Sequence, residues 1–191
     1  IGILASPSAT LEECHLLASL AEHVATVNID HRIRHQDFSD QHNDPLMPWL
    51  GGNIEDIEVA DAILVVGSNL RKEVPIVAHR VRKAAISGAA VSFINTEAYE
   101  YFFATHEHLS GAGLVAELAG VVVAAIGANK IPKTIADICD GVTASAGQER
   151  IAKSLHDADN AMVMTGLIAG RHAASSAIRA LVAAICEATG S

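Results

Sequence analysis

The chain has 191 residues, of which 50% are hydrophobic and only 4% aromatic, so aliphatic side chains must build its core. Its 22 acidic residues outnumber the 13 lysines and arginines, which gives a net charge of −9 and argues against nucleic acid as a partner. The longest apolar run, 114–126, is too short to cross a bilayer and contains Glu117, so we expect no direct membrane insertion.

The first thirty residues predict a strand, a helix and a second strand. Residues 1–5 form an apolar strand pattern, and Thr10 and Glu13 have the spacing of a helix capping box. Residues 27–30 suit the second strand. The helix between the strands is amphipathic, and we expect it to bury one stripe of side chains: Leu11, Cys14, Leu17, Ala18, Ala21 and Val24.

Residues 31–58 form a long irregular loop without hydrophobic periodicity. Loops of this length in compact domains are usually functional or interaction segments. Trp49 and its apolar neighbours Leu46, Met47 and Leu50 are too many to remain in water. We therefore expect them either to fold back over the edge of a sheet or to form a subunit contact.

Neither this loop nor the cysteines predict a metal centre. His31 and His35 have the i, i+4 spacing of helical metal ligands, and Asp37 could be a third ligand. Such pairs also arise by chance in a polar loop of a chain with ten histidines, so we interpret them as solvated or interface residues. The three cysteines of the sequence form neither a C-x-x-C pair nor a four-cysteine cluster motif, which zinc and iron–sulfur sites require. We therefore expect ordinary thiols at Cys14, Cys139 and Cys186.

Residues 60–96 carry the strongest fold signal. Strand 62–66, helix 71–86 and strand 91–94 form the pattern of a right-handed βαβ unit with parallel strands. The remaining predicted elements are a marginal strand within 99–109, a central apolar helix over 114–126, helices over 133–140, 148–156 and 171–189, and a strand over 161–165, with Gly190 as the final cap.

This alternation of strands and helices predicts an α/β fold, a Rossmann-like three-layer sandwich with a mostly parallel sheet. We interpret residues 1–191 as a single domain of this kind. Because the chain begins at Ile1, already inside an apolar strand pattern, we also interpret it as a fragment excised from a longer subunit.

Two turns after neighbouring strands are the candidate ligand site. In open parallel sheets the carboxyl ends of the strands share one edge, and ligands bind there. The two turns should therefore lie side by side. They consist of Gly67, Ser68 and Asn69 after the first strand, and of Asn95, Thr96 and Glu97 after the second.

A second glycine motif, at residues 111–116, satisfies the dinucleotide fingerprint G-x-G-x-x-A. The residues before it, 105–109, are not the apolar strand that this motif requires, and the nearest acid at the ribose distance, Asp137, follows a proline-broken turn. We interpret the motif as a loop at the start of a helix.

The pattern of residues 67–84 resembles the molybdopterin oxidoreductase family. The form Asn-Leu-Arg-Lys-Glu-x-Pro, followed by Ala-His-Arg-x-Arg-Lys-Ala, is most similar to the branch found as the large iron–sulfur subunit of bacterial respiratory complex I, the NADH:quinone oxidoreductase. Residues 6–13, 28–32 and 111–120 look like the same branch, and residues 166–190 fit the family more loosely.

The resemblance implies a relic cofactor crevice. In cofactor-binding relatives, the turn matching Gly67–Asn69 approaches the nucleotide end of the pterin cofactor, and an Asp-Pro-Arg-like turn provides a second grip. Here an amide, Asn95, replaces the acid that would pair with guanine, and Glu97 replaces the arginine that would face phosphate. Since Glu97 would repel a pyrophosphate, we expect no cofactor, metal or catalytic residue in this chain.

The resemblance further implies a scaffold that supports electron transfer from NADH to quinone. Its partners would be the other subunits of complex I, and its place would be peripheral, on the cytoplasmic side of the inner membrane. Iron–sulfur clusters would belong to a more N-terminal part of the large iron–sulfur subunit. Two alternatives stay open: the cofactor-binding domain of a working molybdopterin oxidoreductase, and a nucleotide-binding domain of an NAD or thiamine-diphosphate enzyme.

Overall fold

A computed structural model describes residues 1–6, 8–32, 34–43 and 50–191. It divides into two compact units, Ile1–His35 and Gln36–Ser191. In the first unit, strand β1 (Ile3–Leu4) pairs in parallel with β2 (Ile29–Asp30), and helix α1 spans Leu11–His23. The predicted capping box is confirmed, because the Glu13 N–H donates to Thr10 Oγ1 and the Thr10 N–H donates to Glu13 Oε2.

The predicted buried stripe of α1 was wrong. Within this helix only Ala21 is buried, and Leu11 is 82% exposed. Cys14 and Ala18 are also exposed, while Leu17 and Val24 are half-buried. The physical reason is size: a sheet of two strands with two residues each is too small to cover a helix of 13 residues.

The second unit is built on a parallel sheet of four strands. The strands are β3 (Ala62–Val66), β4 (Ala90–Ile94), β5 (Glu107–Leu109) and β6 (Ala161–Thr165), and their order is β5-β4-β3-β6. Strand β3 is central: Ala62 lies opposite both Ala90 and Ala161 in register, and all five of its residues are buried.

Alternate residues of β3 face two separate cores, which explains its continuous apolar run. Leu64 and Val66 pack with helices α4 (Leu114–Ile126), α6 (Ala146–Asp157) and α8 (Ser175–Thr189). Ile63 and Val65 pack with α3 (Pro75–Ile86) and a 3-10 helix at Ile54–Val59. Helices thus cover both faces of the sheet, and the predicted Rossmann-like three-layer sandwich is confirmed.

Helix 114–126 agrees with the prediction in its bounds and in its central position, because most of its first nine residues are buried. The predicted helix 71–86 is divided into α2 (Leu70–Glu73) and α3, since Pro75 has no N–H and occupies the first turn of the second helix. The other short helices are α5 (Ala136–Cys139) and α7 (Leu167–Gly170). Gly190 ends α8 with a φ of 74°, as predicted.

In its described residues, the segment 31–58 contains two short 3-10 helices, Gln41–Asn43 and Ile54–Val59. Leu46, Met47 and Trp49, for which we predict a covered position, lie outside the described residues, whereas Leu50 is 81% exposed. In the described ranges, no helix combines the length and the apolar character needed to span a membrane.

Candidate functional site

The two predicted turns meet at the carboxyl edge of the sheet. The backbone N–H of Ser68 donates a hydrogen bond of 2.8 Å to Oδ1 of Asn95, and both residues are buried. Strand β6 ends at the same edge, and the turn that follows it starts at Gly166, whose N–H donates to the Val66 carbonyl at 2.9 Å. Three turns therefore converge there, one after each of β3, β4 and β6.

Glycines permit this convergence. Gly67 has a φ of 59°, and a Cβ at this position would lie 2.5 Å from the backbone nitrogen of Ala169. A Cβ on Gly166 would lie 2.2 Å from Cβ of Ser68. The Gly67 carbonyl accepts the N–H groups of Ile168 and Ala169, at 2.9 and 3.2 Å. The edge is consequently closed by backbone packing against α7.

The carboxylate of Glu73 fills the polar centre of this edge. Its Oε1 accepts the Asn69 N–H at 2.8 Å, and its Oε2 accepts the Ser68 hydroxyl at 3.0 Å and the Leu167 N–H at 2.9 Å. Backbone N–H groups in turns of this type are the usual donors to a bound phosphate. Here those donors are satisfied by an anion that belongs to the chain itself.

Sequence reasoning did not identify Glu73 as a residue of the site. One local feature of the sequence points to it: Glu73 lies four residues after Asn69. This is close to the spacing at which an acidic side chain accepts the backbone N–H of a helix N-cap residue. Its bond to Leu167, 94 positions away in the chain, has no local signal.

The second predicted turn presents an anionic, solvent-exposed surface. Thr96 and Glu97 are exposed, while Asn95 is fully buried. Burial lowers the pKa of the neighbouring His108, although a hydrogen bond with the Glu97 backbone opposes this shift. The lowered pKa favours the neutral form of the His108 ring near neutral pH.

Beneath the turn, Tyr101 stacks on Phe93 with ring centroids 3.9 Å apart. Burial raises the pKa of Tyr101 to about 12, and the Asn95 side chain partly offsets this effect. A phenol with such a pKa stays protonated near neutral pH and is a poor general base. Neither its hydroxyl nor Nδ2 of Asn95 reaches a partner with hydrogen-bond geometry among the described residues.

The backbone of the glycine motif at 111–116 also donates a hydrogen bond to a carboxylate of the chain itself. Gly113, with a φ of 86°, directly precedes α4, as expected for a helix-start loop. The Ala112 N–H donates to Glu117 Oε1 at 3.1 Å, and Glu117 Oε2 accepts from Gln148 Nε2 at 2.7 Å. Asp137, the candidate ribose ligand, lies on α5.

One of the three candidate metal ligands, Asp37, has other hydrogen-bond partners. Asp37 accepts hydrogen bonds from Ser39 and Ser176. Across the described ranges, no three His, Cys, Asp or Glu side chains approach closely enough to hold a metal ion. The thiols are free: Cys14 is exposed, Cys186 is half-buried and Cys139 is buried.

Comparison with known proteins places this chain in a family. The family model described as molybdopterin oxidoreductase matches residues 1–191. Over 102 residues, the chain is 34% identical to the F420-dependent formate dehydrogenase subunit alpha of Methanocaldococcus jannaschii. The matched region covers 50% of this chain and 15% of that protein. The chain thus spans a small part of that relative's length.

A solved structure shares the fold. It is a chain of the formyltransferase/hydrolase complex from Methylorubrum extorquens, determined with methylofuran. The TM-score is 0.65 at 18% identity, and the match covers 98% of this chain and 51% of that one. On the match along its whole length, the chain belongs to the molybdopterin oxidoreductase family.

Proposed function

We propose that this chain is a scaffold domain without a cofactor, within the large iron–sulfur subunit of bacterial respiratory complex I. It would support electron transfer from NADH to quinone without a catalytic centre of its own. Its partners would be the other subunits of that complex, on the cytoplasmic side of the inner membrane. The iron–sulfur clusters would be held by a more N-terminal part of the same polypeptide.

The observation that carries this proposal is the position of the Glu73 carboxylate. Its three hydrogen bonds use the N–H groups of Asn69 and Leu167 and the hydroxyl of Ser68. A nucleotide phosphate would have to displace this carboxylate or lie next to it, and like charges at such distances repel strongly. The residues present therefore do not fit the nucleotide end of a pterin cofactor.

A second negative charge strengthens the argument. Glu97 is exposed on the neighbouring turn, at the position where the family resemblance implies an arginine. Phosphate recognition favours arginine because its guanidinium makes paired, charge-assisted hydrogen bonds. The resemblance of residues 67–84 to the complex I branch supports the choice of this member of the family.

A working molybdopterin oxidoreductase is the second candidate. The relationship to a formate dehydrogenase alpha subunit over 102 residues favours it. In that case the Glu73 carboxylate would have to leave the turn when the cofactor binds, and an additional cation would have to compensate for Glu97.

Elemental analysis of the full-length protein, purified from its native host without chelators, separates the two candidates. The scaffold proposal expects stoichiometric iron, no molybdenum or tungsten, and co-purification with other components of an NADH:quinone oxidoreductase. Stoichiometric molybdenum or tungsten together with formate-oxidising activity would overturn it in favour of the second candidate.

A further inference from the structure

A small groove lies between α3 and the segment that follows β4, on the face of the sheet opposite α4. It encloses a cavity of about 170 Å³, and we call it the aromatic groove. Its lining includes Arg71, Pro75, Arg82, Tyr101, Phe102 and Phe103. They lie outside the hydrogen bonds made by Glu73, so the inference does not depend on the scaffold proposal.

Aromatic side chains are concentrated at this groove. The whole chain has four Phe, two Tyr and one Trp. Three of them, Tyr101, Phe102 and Phe103, line the groove, and Phe93 lies directly beneath Tyr101. Phe93 is fully buried, whereas Phe102 is 72% exposed. A fixed aromatic floor with one projecting ring is typical of the centre of a protein–protein interface.

The groove also has positive charge that the described part of the chain leaves uncompensated. The Arg71 guanidinium lies 4.0 Å from the centre of the Phe102 ring, and its Nη1 donates to the Glu100 carbonyl at 3.1 Å. Arg82 is exposed, and in the described ranges no carboxylate lies within ion-pair distance of either arginine.

The other side of the same helix shows the contrast. Arg80 and Lys83 both pair with Glu58, each at 2.5 Å. These pairs lower the pKa of the Glu58 carboxyl, the hydrogen bond from Lys83 being the largest cause. The cations on one side of helix α3 are therefore paired with a carboxylate of the chain, whereas Arg82, at the groove, is not. In a chain with a net charge of −9, such a localised cationic surface favours an anionic partner.

We propose that the aromatic groove binds an acidic segment of another protein. An aliphatic or aromatic side chain of that segment enters the cavity beside Pro75 and Tyr101, and its carboxylates meet Arg71 and Arg82. Arginine suits this role because it binds carboxylates through two parallel hydrogen bonds while its plane stacks on an aromatic ring.

The dimensions and charge of the groove argue against other occupants. Its volume of about 170 Å³ is smaller than the roughly 300–1,000 Å³ of typical small-molecule sites, but it suits one side chain. A nucleic acid would have to approach a chain of net charge −9, and a second copy would bring two such chains together.

Photo-crosslinking in the full-length protein, expressed in its native host, tests the proposal. Phe102 is replaced by p-benzoylphenylalanine, and Ile86, which is 63% exposed on α3, receives the same replacement as a matched control. We expect Phe102 to crosslink to an acidic segment of a different protein, identified by mass spectrometry, and Ile86 to give a lower yield of that product.

Charge variants show whether the arginines form the contact. Arg82→Glu should lower the crosslink yield by about tenfold, the equivalent of one strong charged contact. Arg82→Lys should retain most of the yield. Lys153→Glu on α6, which lowers the net charge by the same two units, is the control for a change in net charge. Raising the salt concentration from about 0.05 M to about 0.5 M should also lower the yield, because exposed charges are screened.

Four results would overturn the proposal: no crosslink from Phe102, a crosslink to nucleic acid, a crosslink to a second copy of the chain, or a product unaffected by Arg82→Glu. Unchanged melting temperatures of the Arg82 variants show that any loss of yield is not a loss of folding.

Discussion

The Glu73 carboxylate accepts a hydrogen bond of 2.9 Å from the backbone N–H of Leu167, and this bond joins helix α2 to the turn that follows β6. Because the same carboxylate also holds Asn69 and Ser68, one side chain links two turns at the edge where parallel sheets bind their ligands. Glu73 thus has a structural role at the sheet edge where ligands bind in other parallel α/β proteins.

Glu73→Ala should lower the free energy of unfolding by about 2–4 kcal/mol, because it leaves two backbone N–H groups and a hydroxyl without their acceptor. Glu73→Gln should cost less, since one amide oxygen can still accept. Urea unfolding followed by circular dichroism measures both changes. Glu149→Gln, an exposed change on α6, is the control; equal stability of Glu73→Ala and this control would contradict the structural role.

Gly67→Ala should destabilise the fold by about 3 kcal/mol or more, since the added Cβ would meet the Ala169 backbone at a left-handed φ. Gly111→Ala is the matched control, because a Cβ there has nothing within 4 Å and no positive φ. Thermal melting of both variants gives the comparison. Closely similar melting temperatures would show that the edge is less tightly closed than the contacts indicate.

Asp37 predicts a pH-dependent part of the stability. Hydrogen bonds from the Ser176 hydroxyl, and then from Ser39, hold the pKa of the Asp37 carboxyl well below its usual range. A lowered pKa in the folded state means that the stabilisation is present above the unfolded pKa, about 3.9, and is lost progressively as the pH falls below it.

The unfolding midpoint in urea should therefore fall more steeply below about pH 4 in the wild-type protein than in Asp37→Asn. The two proteins should converge at the lowest pH at which both remain folded. Parallel pH profiles would exclude Asp37 as the source of the effect.

The cysteines should differ in reactivity. Cys14 is exposed, whereas Cys139 is buried and burial raises the pKa of its thiol. Since the thiolate is the reactive form, a brief treatment with an alkylating reagent should modify Cys14 well before Cys139. Mass spectrometry of the digested protein measures the order, and unfolding in urea should remove the difference. Faster modification of Cys139 in the folded protein would contradict its burial.

The sequence predicted the sheet and its edge because those signals are local. Apolar runs ending in glycine marked β3 and β6, and the apolar stretch of α4 had the same bounds in the structure. The meeting of the turns at Ser68 and Asn95 then followed from parallel topology alone.

The parts that could not be predicted depend on contacts between distant residues. Glu73 lies in an amphipathic stretch like any solvated glutamate, and only the fold brings Leu167 to it. Asp37, which sequence spacing made a candidate metal ligand, instead accepts a hydrogen bond from Ser176, 139 positions away in the first turn of α8. For α1, periodicity indicated a buried stripe, but Leu11 is exposed because the two-stranded sheet of its own unit is too small to cover the helix.

Nucleotide titration shows whether the chain's own carboxylate closes the carboxyl edge of the sheet to a cofactor. The melting temperature of the chain is measured with increasing guanosine diphosphate and, separately, with an adenine dinucleotide. We predict no saturable change with either compound, because Glu73 occupies the donors that a phosphate needs and Glu97 adds repulsion. A clear, saturable rise in melting temperature with the guanine nucleotide would contradict the closure of this edge by Glu73 and identify a cofactor-binding domain.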